Sequence, residues 1–87
     1  TDNPFDQPGR LYRLMTEEKK QLLIGNTTRA MNGVRENIKY RHVTHCYLAD
    51  KDYGTRLAKS LGLDLAKVKE YAKLSNKELN VITANKD

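Results

Sequence analysis

The sequence predicts an all-α fold of four to five short helices joined by tight turns, with an extended N-terminal segment. Three observations carry this. Apolar residues recur at helical spacing, as in Tyr53, Leu57 and Leu61 at i, i+4, i+8. Helix-capping residues stand ahead of such runs at Thr16, Asp50, Asp64 and Ser75, and glycines close two of them at Gly33 and Gly62. No stretch alternates apolar and polar residues with the period of two that a half-buried strand requires.

Thr1–Gly9, TDNPFDQPG, holds both prolines and the first glycine and so reads as extended backbone with turns. LYRLM, Leu11–Met15, adds a short helical turn, which sets residues 1–15 apart as a leading segment before a helical region over 16–87. Thr16 caps the first full helix, and Glu17 with Glu18 place negative charge in its first turn, where the helix dipole favours it. That helix runs to about Asn32 and stops at Gly33. Its apolar residues Leu22, Leu23, Ile24, Ala30 and Met31 are interrupted by Asn26, Thr27 and Thr28, so its apolar face is narrow. The second helix, about Val34–Ala49, carries Val34 and Ile38 on one face and Tyr40, Val43 and Tyr47 on another, and is therefore expected to touch two surfaces.

Asp50 caps the third helix, whose Tyr53, Leu57 and Leu61 stripe ends at Gly62. Asp64 caps the fourth, with Leu65, Val68 and Ala72 facing inward. SNKE, Ser75–Glu78, has the form of a capping box ahead of Leu79 and Ile82, and predicts one last short helix fraying into the polar ANKD tail.

Composition limits what such helices can do alone. A chain of 87 residues buries only roughly 60 to 65% of its unfolded surface. With 38% hydrophobic residues, no Trp and one Phe, it has few large side chains to close a core, which points to a piece that packs against something larger. The chain begins at Thr1, which points to a processed product or a fragment. The net charge of +5 invites a nucleic-acid or acidic-membrane partner. Its distribution argues otherwise: even the most basic segment, Val34–Ala49, sets only Arg35, Lys39 and Arg41 against Glu36. No apolar run approaches the roughly 18 residues of a membrane span, and no secretory signal opens the chain. A single cysteine, Cys46, fits a reducing compartment and reads as a small buried apolar residue.

Residue clusters that suggest chemistry are short of partners. His42, His45 and Cys46 in HVTHC lie close enough on a helix to share a metal, but a structural zinc needs four ligands and no second His or Cys pair exists. Cys46 as a nucleophile meets the same objection, because no Gly-rich loop precedes a helix to stabilise an oxyanion. Glu17 and Glu18 are adjacent and diverge by about 100° on a helix, which excludes an acid–base pair. The phosphate-cradling motifs GxGxxG and GxxxxGK[ST] are absent.

Ala58, Gly62 and Val68 follow the A-x3-G-x5-V spacing of a helix-turn-helix, so a small DNA-binding protein is the rival reading. A recognition helix needs Arg, Lys, Asn or Gln near its start, whereas Asp64, Leu65, Ala66 and Lys67 offer an acidic cap and two apolar residues. Only Lys67, Lys69 and Lys73 are basic there.

The order of the longer fragments decides between these readings. FDQPGRLYRLMTEEKKQLL (Phe5–Leu23), Asn26, AMNGVRENI (Ala30–Ile38), RHVTHCYLADKDYGTRLAKSLGL (Arg41–Leu63) and LAKVKEYAKLSNKEL (Leu65–Leu79) together resemble the C-terminal helical region of monofunctional haem catalases of the small-subunit type. The likeness departs at Cys46, where the family usually has Phe, and at Thr27, Thr28 and Arg29, where it has apolar and small residues.

The resemblance implies a segment that packs on a haem-bearing β-barrel domain and takes part in a cytoplasmic homotetramer, without a nucleic-acid or membrane partner. It implies that the parent is an oxidoreductase disproportionating hydrogen peroxide to water and oxygen, with the haem iron and every catalytic residue outside these 87 residues. It also implies a candidate NADPH contact at Gln7, Leu11 and Leu14, Gln7 hydrogen-bonding the nucleotide and the two leucines covering an apolar flank.

Overall fold

The computed structural model describes residues 6–74. Among them run five helices and no strand: α1 Asp6–Leu14, α2 Glu17–Ala30, α3 Glu36–Ala49, α4 Lys51–Leu61 and α5 Leu65–Ala72. The all-α reading and the tight turns stand. The short helix predicted after Ser75 lies outside the described residues.

The α3–α4 pair is the centre, with α1 and α5 laid on α3 and α2 laid on α4. Val43 of α3, Leu57 and Ala58 of α4 and Val68 of α5 are completely buried where these helices meet, joined by Ile24, Tyr40 and Cys46. Tyr40, Val43, Leu57 and Val68 come from the apolar rows their helices were expected to turn inward, and Ala58 from the helix-turn-helix spacing. Thr44 is the polar residue buried among them, and its hydroxyl donates to the Tyr40 carbonyl at 2.6 Å, so its own burial leaves that hydroxyl satisfied.

Caps fix the joints. The Thr16 hydroxyl accepts from the Lys19 amide at 3.2 Å, and Asp64 Oδ1 accepts from the Ala66 amide at 3.0 Å. Gly62 turns left-handed at φ +73°, which lets its amide reach the Lys59 carbonyl at 3.2 Å and the Leu63 amide reach the Ala58 carbonyl at 2.8 Å. Gly33, at φ +90°, turns left-handed within the reversal after α2, where the Val34 amide donates to the Met31 carbonyl at 3.1 Å. α2 itself stops at Ala30 with Met31 as its cap, and α3 starts at Glu36 instead of Val34, because the reversal around Gly33 takes residues from both helices.

The leading segment differs more from its expectation. Helix α1 already begins at Asp6, so the backbone from 6 to 9 is helical where turns were predicted. Pro8 lies in the first helical turn, where its missing amide hydrogen has no intrahelical acceptor to lose. Gly9 serves a different end from a turn: a Cβ at this position would collide with the Ala49 carbonyl oxygen at the end of α3. Glycine lets the two backbones touch.

Gly54 repeats that device between α3 and α4. A Cβ there would collide with Tyr47 Cα and Cβ and sit 2.6 Å from the Tyr47 nitrogen. We expect Gly54→Ala to destabilise the protein by about 1–3 kcal/mol through overpacking, and Leu57→Ala by about 2–5 kcal/mol through an internal cavity. Equilibrium denaturation measures both, and an unchanged midpoint for Gly54→Ala contradicts the close approach.

Candidate functional site

The residues singled out for cofactor contact lie on α1. Positions 7, 11 and 14 share one i, i+4, i+7 row of that helix. Leu11 is 57% exposed and Leu14 78% exposed, two unpaired leucines on one narrow helix. The opposite face is held by Tyr12, which is 1% exposed. Helix α1 is thus glued down by one side and presents an apolar row on the other.

The glue can be traced atom by atom. The Tyr12 ring stacks on Tyr53 of α4, with centroids 4.7 Å apart and planes 6° from parallel. The Tyr12 hydroxyl donates to Asp52 Oδ2, and Lys20 Nζ stands 4.9 Å from the Tyr12 ring centroid. Asp52 also pairs with Arg56 Nε at 2.9 Å, and Arg56 reaches back to Glu17 of α2 with both its terminal nitrogens, at 2.5 and 2.8 Å. Arg13 Nη1 donates to the Ala49 carbonyl at 3.2 Å and to Asp50 Oδ2 at 3.3 Å.

One charged chain therefore couples α1, α2 and α4. Burial, reinforced by its bond to Asp52, lifts the Tyr12 phenol above its ordinary range. The same bond is the main cause that draws Asp52 below the usual carboxylate range, and bonds from Arg56 and Gln21 draw Glu17 down to about 2. Sequence reasoning placed Glu17 only at a helix dipole. Its partner lies 39 residues away, and nothing local in the sequence announces it.

His42 Nε2 lies 3.7 Å from Cys46 Sγ. Burial pushes the Cys46 thiol up to about 11 and holds His42 below the usual imidazole range. A thiol so raised is a packing residue, not an activated nucleophile. Among the described residues no group of three or more His, Cys, Asp or Glu side chains could hold a metal ion.

The α4–α5 corner has the helix-turn-helix residues in place: Ala58 and Val68 fully buried and Gly62 left-handed. The base-reaching end is otherwise engaged. Lys67 Nζ lies 4.7 Å from the Tyr40 ring centroid and 5.8 Å from that of Tyr71, while the Asp64 amide donates to the Tyr40 hydroxyl at 2.9 Å. Among the described residues no helix is long and apolar enough to cross a membrane.

Comparison with known proteins bears on the whole set of elements at once. Residues 1–61 match the family described as "Catalase-related immune-responsive". The chain belongs to this catalase-related family. Its curated relatives include a catalase of Staphylococcus warneri, 53% identical over 64 residues, which are 74% of this chain and 13% of the relative. A catalase of Staphylococcus epidermidis is 48% identical over 67 residues, 77% of this chain and 13% of that protein. One of Staphylococcus aureus is 50% identical over 64 residues, 74% of this chain and 13% of that protein. This catalase-related chain thus spans about an eighth of the relatives it matches. No solved structure matches it.

In the catalase-related chain the matched span ends at Leu61. It contains α1 to α4 and the charged chain that ties them, but not the α4–α5 corner.

The sign of the Glu17 contribution follows from its pKa. A carboxylate depressed in the fold to about 2 stabilises above its unfolded pKa of about 4.3 and loses that contribution as pH falls through about 2. Thermal melting between pH 5 and pH 2 is therefore expected to fall less steeply in Glu17→Gln than in the parent sequence. Equal slopes rule out the Arg56 pair as a contributor.

Proposed function

We propose that this chain is the C-terminal helical part of a haem catalase, a structural segment that packs on the haem-bearing barrel and supports a cytoplasmic homotetramer. The observation that carries the proposal is the match over residues 1–61 to a catalase-related family. Curated relatives about half identical to the chain and named catalase support it. The exposed row of α1 suits the part: Leu11 and Leu14 face away from their own helical body and need cover that these helices do not supply.

Three of the five tyrosines are already engaged and unsuited to haem. The Tyr12 phenol is committed to Asp52, the Tyr40 phenol to the Asp64 amide, and the Tyr53 phenol to Cys46 and Thr27. None of these three offers an axial ligand over an open face, and no step of peroxide disproportionation is assigned to this chain.

NADPH fits in part. Leu11 and Leu14 form an apolar flank of the kind that shields an aromatic base or nicotinamide ring, with Gln7 one turn before them in the same row. NADPH, when bound, supplies reducing equivalents to the parent enzyme. The residues of this chain hold one side of it and exclude water there.

The test compares two polypeptides. The protein at its natural length is expected to show a haem Soret band and to evolve oxygen from peroxide, and residues 1–87 alone to do neither. Oxygen evolution by the short chain overturns the structural role, and a natural-length protein without haem overturns the catalase reading. Leu14→Asp in the natural-length protein is expected to weaken NADPH binding by about tenfold, the loss of one well-covered leucine. Fluorescence titration reads it, and unchanged affinity removes α1 from the nucleotide site.

A further inference from the structure

Three glycines lie inside helices, and two are explained by the helices they touch. Gly9 admits the Ala49 carbonyl and Gly54 admits Tyr47. Gly25, in the middle of α2, has no such reason: a Cβ there would meet only Arg29 Nη1 at an ordinary 3.6 Å. Glycine weakens a helix interior relative to alanine, and nothing within the described residues repays it. Among its neighbours on the helix surface, Arg29 donates to Asn26 Oδ1 and Gln21 to Glu17 Oε2, both bonds within α2. Glu18, Leu22, Gly25 and Arg29 follow i, i+4, i+7, i+11 and line an open groove of 300 Å³ with Gln21. Leu22 is 64% exposed, and neither Glu18 nor Arg29 has an ion-pair partner among the described residues. Meanwhile Glu17, Ile24 and Thr28, on the other side of α2, bind α4 or the core.

The row has an internal symmetry. The pairs 18 and 29, 22 and 25, and 21 and 26 share one midpoint, halfway between Leu23 and Ile24. We propose that α2 pairs antiparallel with α2 of a second copy of this chain about a two-fold axis at that midpoint. Glu18 then faces Arg29 of the other copy at both ends, and Leu22 seats over Gly25, where no side chain stands in its way. Gln21 meets Asn26. Such an isologous contact needs one self-complementary patch, with opposite charges at its ends and a large residue opposite a gap, and this row has all three features. Gly25 is the third use of one device, glycine at a helix crossing, with its partner outside the chain. The pairing rests on α2 and not on the catalase reading, so each can fail without the other.

The experiment uses the natural-length protein. Differently tagged Glu18→Cys and Arg29→Cys variants are co-expressed and treated with a short bismaleimide, and the linked peptides are mapped by mass spectrometry. Antiparallel pairing brings position 18 beside position 29 of the other copy, whereas two copies of position 18 stand about 16 Å apart along the axis at 1.5 Å per residue. The 18–29 link is expected to exceed the 18–18 and 29–29 links at least tenfold. Equal yields, no intermolecular link, or a link from position 18 to another part of the protein overturns the proposal. Introducing Gly25→Leu into both variants fills the seat of Leu22 with a good helix former and is expected to cut the 18–29 link at least tenfold. An undiminished yield overturns the close approach.

Discussion

Asp50 is the point on which the described structure turns. It is the single residue between α3 and α4, with φ −160° and ψ 124°, so it closes one helix and opens the next. Its amide donates to the Cys46 carbonyl at 2.9 Å, and its Oδ1 accepts from the amides of Asp52 and Tyr53 at 2.9 and 3.3 Å. Its other carboxylate oxygen takes Arg13 from α1. A one-residue joint leaves no slack, so the helices on either side must approach closely, and Gly54 makes that possible. Once α4 is placed, Tyr53 and Asp52 are placed with it, and these are the groups that receive Tyr12. The orientation of α1, and hence of its exposed leucines, descends from that joint.

Much of this was legible because the chain writes its helix ends plainly. Thr16, Asp50 and Asp64 cap where they were expected to, and Gly62 stops α4 in the left-handed conformation that favours glycine. The inward residues Leu57, Ala58 and Val68 follow from spacing alone, since one face of each helix is apolar and the caps fix where each begins. Local chemistry determines both, and local chemistry is what a sequence displays. Gly9 and Pro8 misled for the opposite reason. Both are ordinary turn signals, and only the approach of the Ala49 carbonyl, 40 residues along, makes a glycine inside a helix useful.

The candidate site shows the same divide. Gln7, Leu11 and Leu14 were named by family likeness, and the structure adds that they share a row of one helix whose leucines are open to solvent. The apparatus behind that row was hidden. Tyr12 finds Asp52 and Tyr53, and Arg56 finds Glu17, across separations of about 40 residues. Of these contacts only Asp52 with Arg56, at i, i+4, could have been suspected from spacing. The catalase-related match encloses all of these residues, which identifies the tether as part of the matched body and not as decoration on it.

The burial of Cys46 has a bearing on chemical durability. With its pKa pushed up to about 11, only about one thiol in ten thousand is ionised at neutral pH, and the thiolate is the form that oxidants attack. Only 7% of its surface is open, and its sulfur lies 3.7 Å from His42 Nε2. The step to sulfenic acid is therefore slowed twice, by scarcity of the thiolate and by lack of access. A cysteine placed where relatives are expected to carry phenylalanine thus adds little oxidative liability.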